Sequence, residues 1–89
     1  MTVRIFVLGF VQGVGFRRFI RRNTQKLDIK GWVRNTPDGR VEIVAQSTDK
    51  QIEELKKIAE KGSIFSDVKG IVVDNVADSE VFETFELRF

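Results

Sequence analysis

Val3, Ile5 and Val7 interleave with Arg4, Phe6 and Leu8, a period of two that predicts a half-buried strand ending near Gly9. From Phe16 the period changes: Phe16, Phe19, Ile20 and Leu27 share one helical face, while Arg17, Arg18, Arg21 and Arg22 lie largely elsewhere. A helix is therefore expected from Phe16 to about Leu27, with Asn23 and Thr24 interrupting its apolar stripe. Ile29–Asn35 and Arg40–Gln46 read as strands flanking Thr36-Pro37-Asp38-Gly39, where Pro presets the first central residue and Gly closes the turn, so a hairpin is expected. Thr48-Asp49-Lys50-Gln51 carries the capping-box pattern, and Ile52, Leu55, Ile58 and Ala59 follow at helical spacing until Gly62 stops the helix. Val68–Val73 is apolar and mostly β-branched. Val81–Phe89 places Val81, Phe85, Leu87 and Phe89 on one side, which gives two further strands.

The order βαββαβ, with two amphipathic helices and half-apolar strands, is the split βαβ pattern of a ferredoxin-like α/β (α+β) sandwich, an antiparallel sheet with two helices on one face. No linker, repeat or low-complexity tract interrupts it, and 89 residues give room for one domain, expected to cover 1–89. This architecture carries RNA-binding, regulatory, metal-binding and catalytic domains alike, so function must be argued from a site.

Composition narrows the chemistry. The chain has no Cys and no His. Disulfides, thiolate nucleophiles, Ser-His-Asp and Cys-His catalysis and most transition-metal sites are thereby excluded. No apolar run approaches the roughly 20 residues of a membrane-spanning helix, and no secretory leader pattern opens the chain, so a cytoplasmic protein with no membrane partner is expected. The net charge of +2 gives no argument for nucleic acid. Its distribution says more, because Arg4, Arg17, Arg18, Arg21, Arg22, Lys26, Lys30, Arg34 and Arg40 all fall in the first half, which should attract a small anion.

Val11-Gln12-Gly13-Val14-Gly15-Phe16-Arg17 joins the first strand to the first helix. Its two glycines let the backbone bend and present successive N–H groups as an anion nest, and the helix start adds unpaired donors and the positive end of its dipole. Glycines in a connector also serve as plain turn residues, and two phosphate-binding motifs do not fit: Walker A needs Lys followed by Ser or Thr, and the dinucleotide fingerprint needs a third glycine where Arg18 stands. Arg17 and Arg18 oppose the dipole at some ~0.3–1 kcal/mol each when exposed, a penalty that a bound anion would reverse. Guanidinium can grip two phosphate oxygens at once, although for Arg18 plain solvation is the better reading. Asn35, directly before Thr-Pro-Asp-Gly, reads from its position alone as a turn initiator. Trp32 and Val33 read as core and sheet packing, Asp38-Gly39 as turn chemistry, Phe82, Phe85 and Phe89 as packing, and Glu53, Glu54 and Glu60 as a solvated helix face with no metal cluster.

Two blocks carry a resemblance. Gly9-Phe10-Val11-Gln12-Gly13-Val14-Gly15-Phe16-Arg17, followed by Gly31-Trp32-Val33-Arg34-Asn35 and Asp38-Gly39-Arg40-Val41-Glu42, resembles the signature pair of the acylphosphatase family in order and spacing, and the resemblance extends over the whole chain. It implies hydrolysis of the carboxyl–phosphate bond of acyl phosphates to carboxylate and inorganic phosphate. It further implies that Arg17 and the backbone N–H groups of Gln12, Gly13, Val14, Gly15, Phe16 and Arg17 hold the phosphoryl group, while Asn35 orients the attacking water. No metal or other cofactor and no nucleic-acid partner is implied; a monomer is expected, with inorganic phosphate as product or inhibitor. The chain departs from the family's usual pattern at Phe10, Thr24, Ser47 and Ser63, none of which is Arg17 or Asn35.

Two rival readings differ in class. The first is a non-catalytic relative that binds phosphate or carbamoyl phosphate, like the acylphosphatase-like domain of hydrogenase-maturation carbamoyltransferases; the length of the chain argues against it. The second is an RNA-binding ferredoxin-like module, against which Arg40–Ala45 lacks the glycine and aromatic pattern that such modules place on that strand.

Overall fold

The alternation of the first strand buries Val3, Ile5 and Val7 completely. In the computed structural model, which describes residues 1–78 and 80–89, that strand is β1 (Thr2–Phe10), and the chain continues as α1 (Phe16–Lys26), β2 (Lys30–Asn35), β3 (Val41–Gln46), α2 (Asp49–Lys61), β4 (Asp67–Val76) and β5 (Phe85–Leu87). The strands form one sheet in the order β4-β1-β3-β2-β5. β1 and β3 lie inside it, which is why Val41 to Ala45 are buried without interruption. Pairing of β1 with β3, β1 with β4 and β2 with β3 is antiparallel, and its register sets Ile5 opposite both Ile43 and Val73, and Val33 opposite Ile43.

A continuous apolar row thus crosses the sheet, and both helices cover it. Phe16, Ile20 and Thr24 from α1 and Ile52, Leu55 and Ala59 from α2 are their buried positions, and the apolar ones share a core with Val3, Ile5, Val7, Val33 and Ile43. Thr24, which breaks the apolar stripe in the sequence, is fully buried because its hydroxyl donates to the Arg21 carbonyl at 2.9 Å. The expected start of α2 is also found, with the Thr48 hydroxyl accepting from the Gln51 N–H at 3.3 Å.

The ferredoxin-like plan holds, with one addition at the edge. β5 pairs with β2 in parallel, so the sheet is mixed rather than antiparallel throughout. The strand expected over Val81–Phe89 shrinks to Phe85–Leu87 because only that stretch lies against β2. Before it the chain crosses the sheet end, tied by the Gln46 carboxamide to the Glu80 carbonyl at 2.8 Å and the Phe82 N–H at 3.1 Å. Val81 is consequently 84% exposed and Phe89 fully so, while Phe85 alone of the expected row is buried. β4 runs longer than the apolar stretch Val68–Val73, because pairing with β1 carries it from Asp67 to Val76.

The other sheet face is open and polar-aromatic. Trp32, expected in the core beside Val33, lies here half-buried, since adjacent strand residues point to opposite faces. The Arg88 and Arg34 guanidinium carbons sit 4.8 and 5.5 Å from its ring centroid. Beside it Glu42 is buried between Arg4 and Arg34, whose Nε atoms approach its oxygens at 3.0 and 2.7 Å.

Neighbouring positions of β3 should therefore respond differently. Ile43→Ala is expected to cost about 2–5 kcal/mol through lost burial and a cavity. Glu42→Gln should cost under about 1 kcal/mol, because both arginines are nearly half exposed and solvent screens the pair. Urea denaturation of the two variants checks the contrast.

Candidate functional site

The connector between β1 and α1 cannot be extended chain. Gly13 and Gly15 adopt φ of 74° and 77°, the left-handed region where a side chain is strained. A Cβ at either would meet no atom within 4 Å, so conformation and not crowding calls for glycine there. Gly15 is also the N-cap of α1. Among the described residues no side chain caps that end and no acidic residue stands in its first turn. The helix thus starts with open N–H donors and the positive end of its dipole, with two cationic side chains, Arg17 and Arg18, beside them.

This loop is fastened to the hairpin by a side chain. Nε2 of Gln12 donates to the Thr36 carbonyl at 2.7 Å and to the Arg40 carbonyl at 2.9 Å. The turn it grips is itself closed: the Thr36 N–H donates to the Arg40 carbonyl at 2.9 Å and the Gly39 N–H to the Thr36 carbonyl at 3.2 Å. Asp38 completes the turn, accepting from the Thr36 hydroxyl and from Arg40 Nε at 2.9 Å. Those bonds, Thr36 first, hold its carboxyl down at about 2.

Asn35, the last residue of β2, is thereby brought to the loop. A cavity of about 250 Å³ is lined by Val11, Gly13, Gly15, Arg17, Arg18 and Asn35, with Leu87 and Phe89 at its side. Each water takes some 30 Å³ in the liquid. The cavity therefore has room for a tetrahedral oxyanion together with a water. Oδ1 of Asn35 is buried and, among the described residues, has no hydrogen-bond partner. Such an orphan acceptor is costly while it stays unpaired, and its residue lines the cavity.

Arg17 is held from behind by the C-terminal segment. Nη1 donates to the Arg88 carbonyl at 2.7 Å, and the guanidinium carbon lies 4.8 Å from the centroid of the Phe89 ring. A guanidinium has five donors, so others remain for an anion. Phe89 thus departs from the packing role expected of it: its exposed ring is a platform for Arg17. Sequence reasoning placed Gln12 among the loop's backbone donors and missed its side chain, and it missed Leu87, Arg88 and Phe89 as site neighbours. Only position could have revealed them, since their partners lie 24 to 71 residues away.

Thr2 through Leu87 scarcely differ in extent from the family match: the family model described as Acylphosphatase covers residues 3–87. The chain is 44% identical to an acylphosphatase of Syntrophotalea carbinolica, over 100% of this chain and 97% of that relative. Among solved structures, the acylphosphatase of Bacillus subtilis superposes with a TM-score of 0.95 at 38% identity, covering 99% of this chain and 98% of that one. Full-length HypF, solved in a phosphate- and nucleotide-bound form, superposes with a TM-score of 0.85 at 30% identity, but the match spans only 12% of its chain.

Two measurements probe the scaffold of the site. Gln12→Leu should lower stability by about 1–3 kcal/mol, because two carbonyls lose a donor, and should speed amide exchange at Gly13 and Gly15. For Asp38, a carboxyl depressed in the folded state stabilises the fold above the unfolded value of about 3.9, and that contribution is lost as pH falls through about 2. An NMR titration should therefore find Asp38 charged until near pH 2, and Thr36→Val should move its titration upward.

Proposed function

The chain belongs to the acylphosphatase family and hydrolyses acyl phosphates to carboxylate and inorganic phosphate, and from that premise we propose that it does so without a metal ion, with Arg17 and the loop N–H groups holding the phosphoryl group and Asn35 directing the water. The observation that carries this reading is that Asn35, whose Oδ1 has no hydrogen-bond partner among the described residues, lines the same cavity as Arg17 and the glycine loop.

The chemistry needs little else. The leaving group is a carboxylate whose conjugate acid has a pKa near ~4, so it departs at neutral pH without a general acid. A loose phosphoryl-transfer transition state asks mainly for alignment and for donors to its equatorial oxygens. N–H groups of Gln12 to Arg17 and the free donors of the Arg17 guanidinium meet that demand, and their charge is in place before reaction, so no reorganisation is required. Asn35 Oδ1 accepts a hydrogen bond from the water and fixes its oxygen in line with the scissile bond. As the water oxygen bonds to phosphorus, the P–O bond to the acyl group breaks and its electron pair leaves on the carboxylate. The water proton passes to a phosphate oxygen of the substrate itself, which removes the need for an imidazole base.

Release of phosphate from acetyl or benzoyl phosphate, measured with and without chelator, should be equal in the two conditions. Arg17→Ala should lose phosphate binding and about 10³-fold or more in turnover. Asn35→Ala should keep its affinity for inorganic phosphate yet lose about 10²–10³-fold in kcat. Equal damage to binding and turnover in the Asn35 variant would contradict the division of roles.

A further inference from the structure

Beside the glycine loop lies a second and larger cavity, about 680 Å³, between α1 and the turn that joins α2 to β4. Gly15 and Arg18 line both cavities, so a ligand anchored in the smaller one extends directly into the larger. Its two sides differ in chemistry. The turn contributes Ile64 and Phe65, which stand 89% and 73% exposed, and Phe19 adds apolar surface from α1. Along the opposite side run Arg18, Arg22 and Lys26, spaced four residues apart on one helical face. Among the described residues none of these three makes an ion pair, and no acidic residue lines the cavity.

Ser63 borders the groove, and the turn is pinned there by the Ser66 hydroxyl, which accepts from the Ser63 N–H at 2.8 Å and donates to the Ser63 carbonyl at 2.9 Å.

We propose that this groove is the acyl-group subsite, and that it selects acyl phosphates whose acyl group is extended, apolar in its middle and anionic at its far end. The inference rests on the acyl phosphate reading of the neighbouring cavity. With the phosphoryl group at the start of α1, Ile64 and Phe65 cover the hydrocarbon, and a distal carboxylate reaches Arg22, about 10 Å along the helix from Gly15 at 1.5 Å per residue. A short acyl group such as acetyl leaves the groove unused. The cationic row then acts on substrates by the charge they carry beyond the reacting bond, a contribution that salt weakens.

The test compares kcat/KM for three substrates: acetyl phosphate, octanoyl phosphate and the monoacyl phosphate of suberic acid, which matches octanoyl in length but ends in a carboxylate. Wild-type protein should favour both long substrates over acetyl phosphate and favour suberoyl over octanoyl by about fivefold at low salt, with the latter margin shrinking as salt is added. Arg22→Ala should erase that margin while leaving octanoyl and acetyl phosphate unchanged. Phe65→Ala should lower both long substrates by about three- to tenfold and leave acetyl phosphate unchanged. Equal rates for all three substrates, or an Arg22→Ala loss shared by all three, would overturn the subsite while leaving the phosphatase reading intact. Wild-type protein inactive toward every one of them would overturn that reading and the subsite with it.

Discussion

One carboxamide holds the site together. Nε2 of Gln12 spans the space between the β1–α1 connector and the β2–β3 turn with two hydrogen bonds to main-chain carbonyls. The two segments are remote in sequence, and this contact adds a direct tie between the glycine loop and the turn after Asn35 to what the β1–β3 pairing and the shared core already fix. In the proposed reaction the N–H nest and Asn35 act only at a set separation, because an in-line displacement tolerates little misalignment. This side chain couples the loop to the hairpin turn directly.

Around that clamp the molecule opposes its own electrostatics. Two arginines crowd a helix start that already carries positive charge, and among the described residues no acidic side chain stands in its first turn to offset them. Such an arrangement is mildly unfavourable in the empty protein. Part of the compensation comes from the far end of the chain, where the Arg88 carbonyl and the Phe89 ring engage the Arg17 guanidinium. These neutral partners orient the cation without cancelling its charge, whereas a carboxylate in the same place would satisfy it and leave little attraction for an anion.

Local patterns reported most of the fold. The periods of β1, α1 and α2, the Thr48 cap and the Pro-Asp-Gly turn are all short-range signals, and each stands where the sequence suggested. Legibility failed where a partner was distant. Alternation from Val81 to Phe89 looked like a full strand, yet only the residues beside β2 found a neighbour. Trp32 looked like core because it is large and apolar, but strand parity put it on the open face, where guanidinium groups cover it. Thr24 looked like an interruption until its hydroxyl found the Arg21 carbonyl. The glycine loop and Arg17 were readable from chemistry, whereas Asn35 stood out only through the family resemblance, because a residue before a turn has an ordinary reason to be Asn.

The bond from Arg17 to the Arg88 carbonyl has a thermodynamic corollary. Binding equilibria that share a group are reciprocal: if docking of the last residues orders the guanidinium for an oxyanion, an oxyanion must tighten that docking by the same factor. The short β5 edge, joined to the sheet through only one neighbouring strand, would then fray less in the occupied protein than in the vacant one. Anion occupancy of the candidate site would be written into the local stability of the segment around β5, far away in sequence.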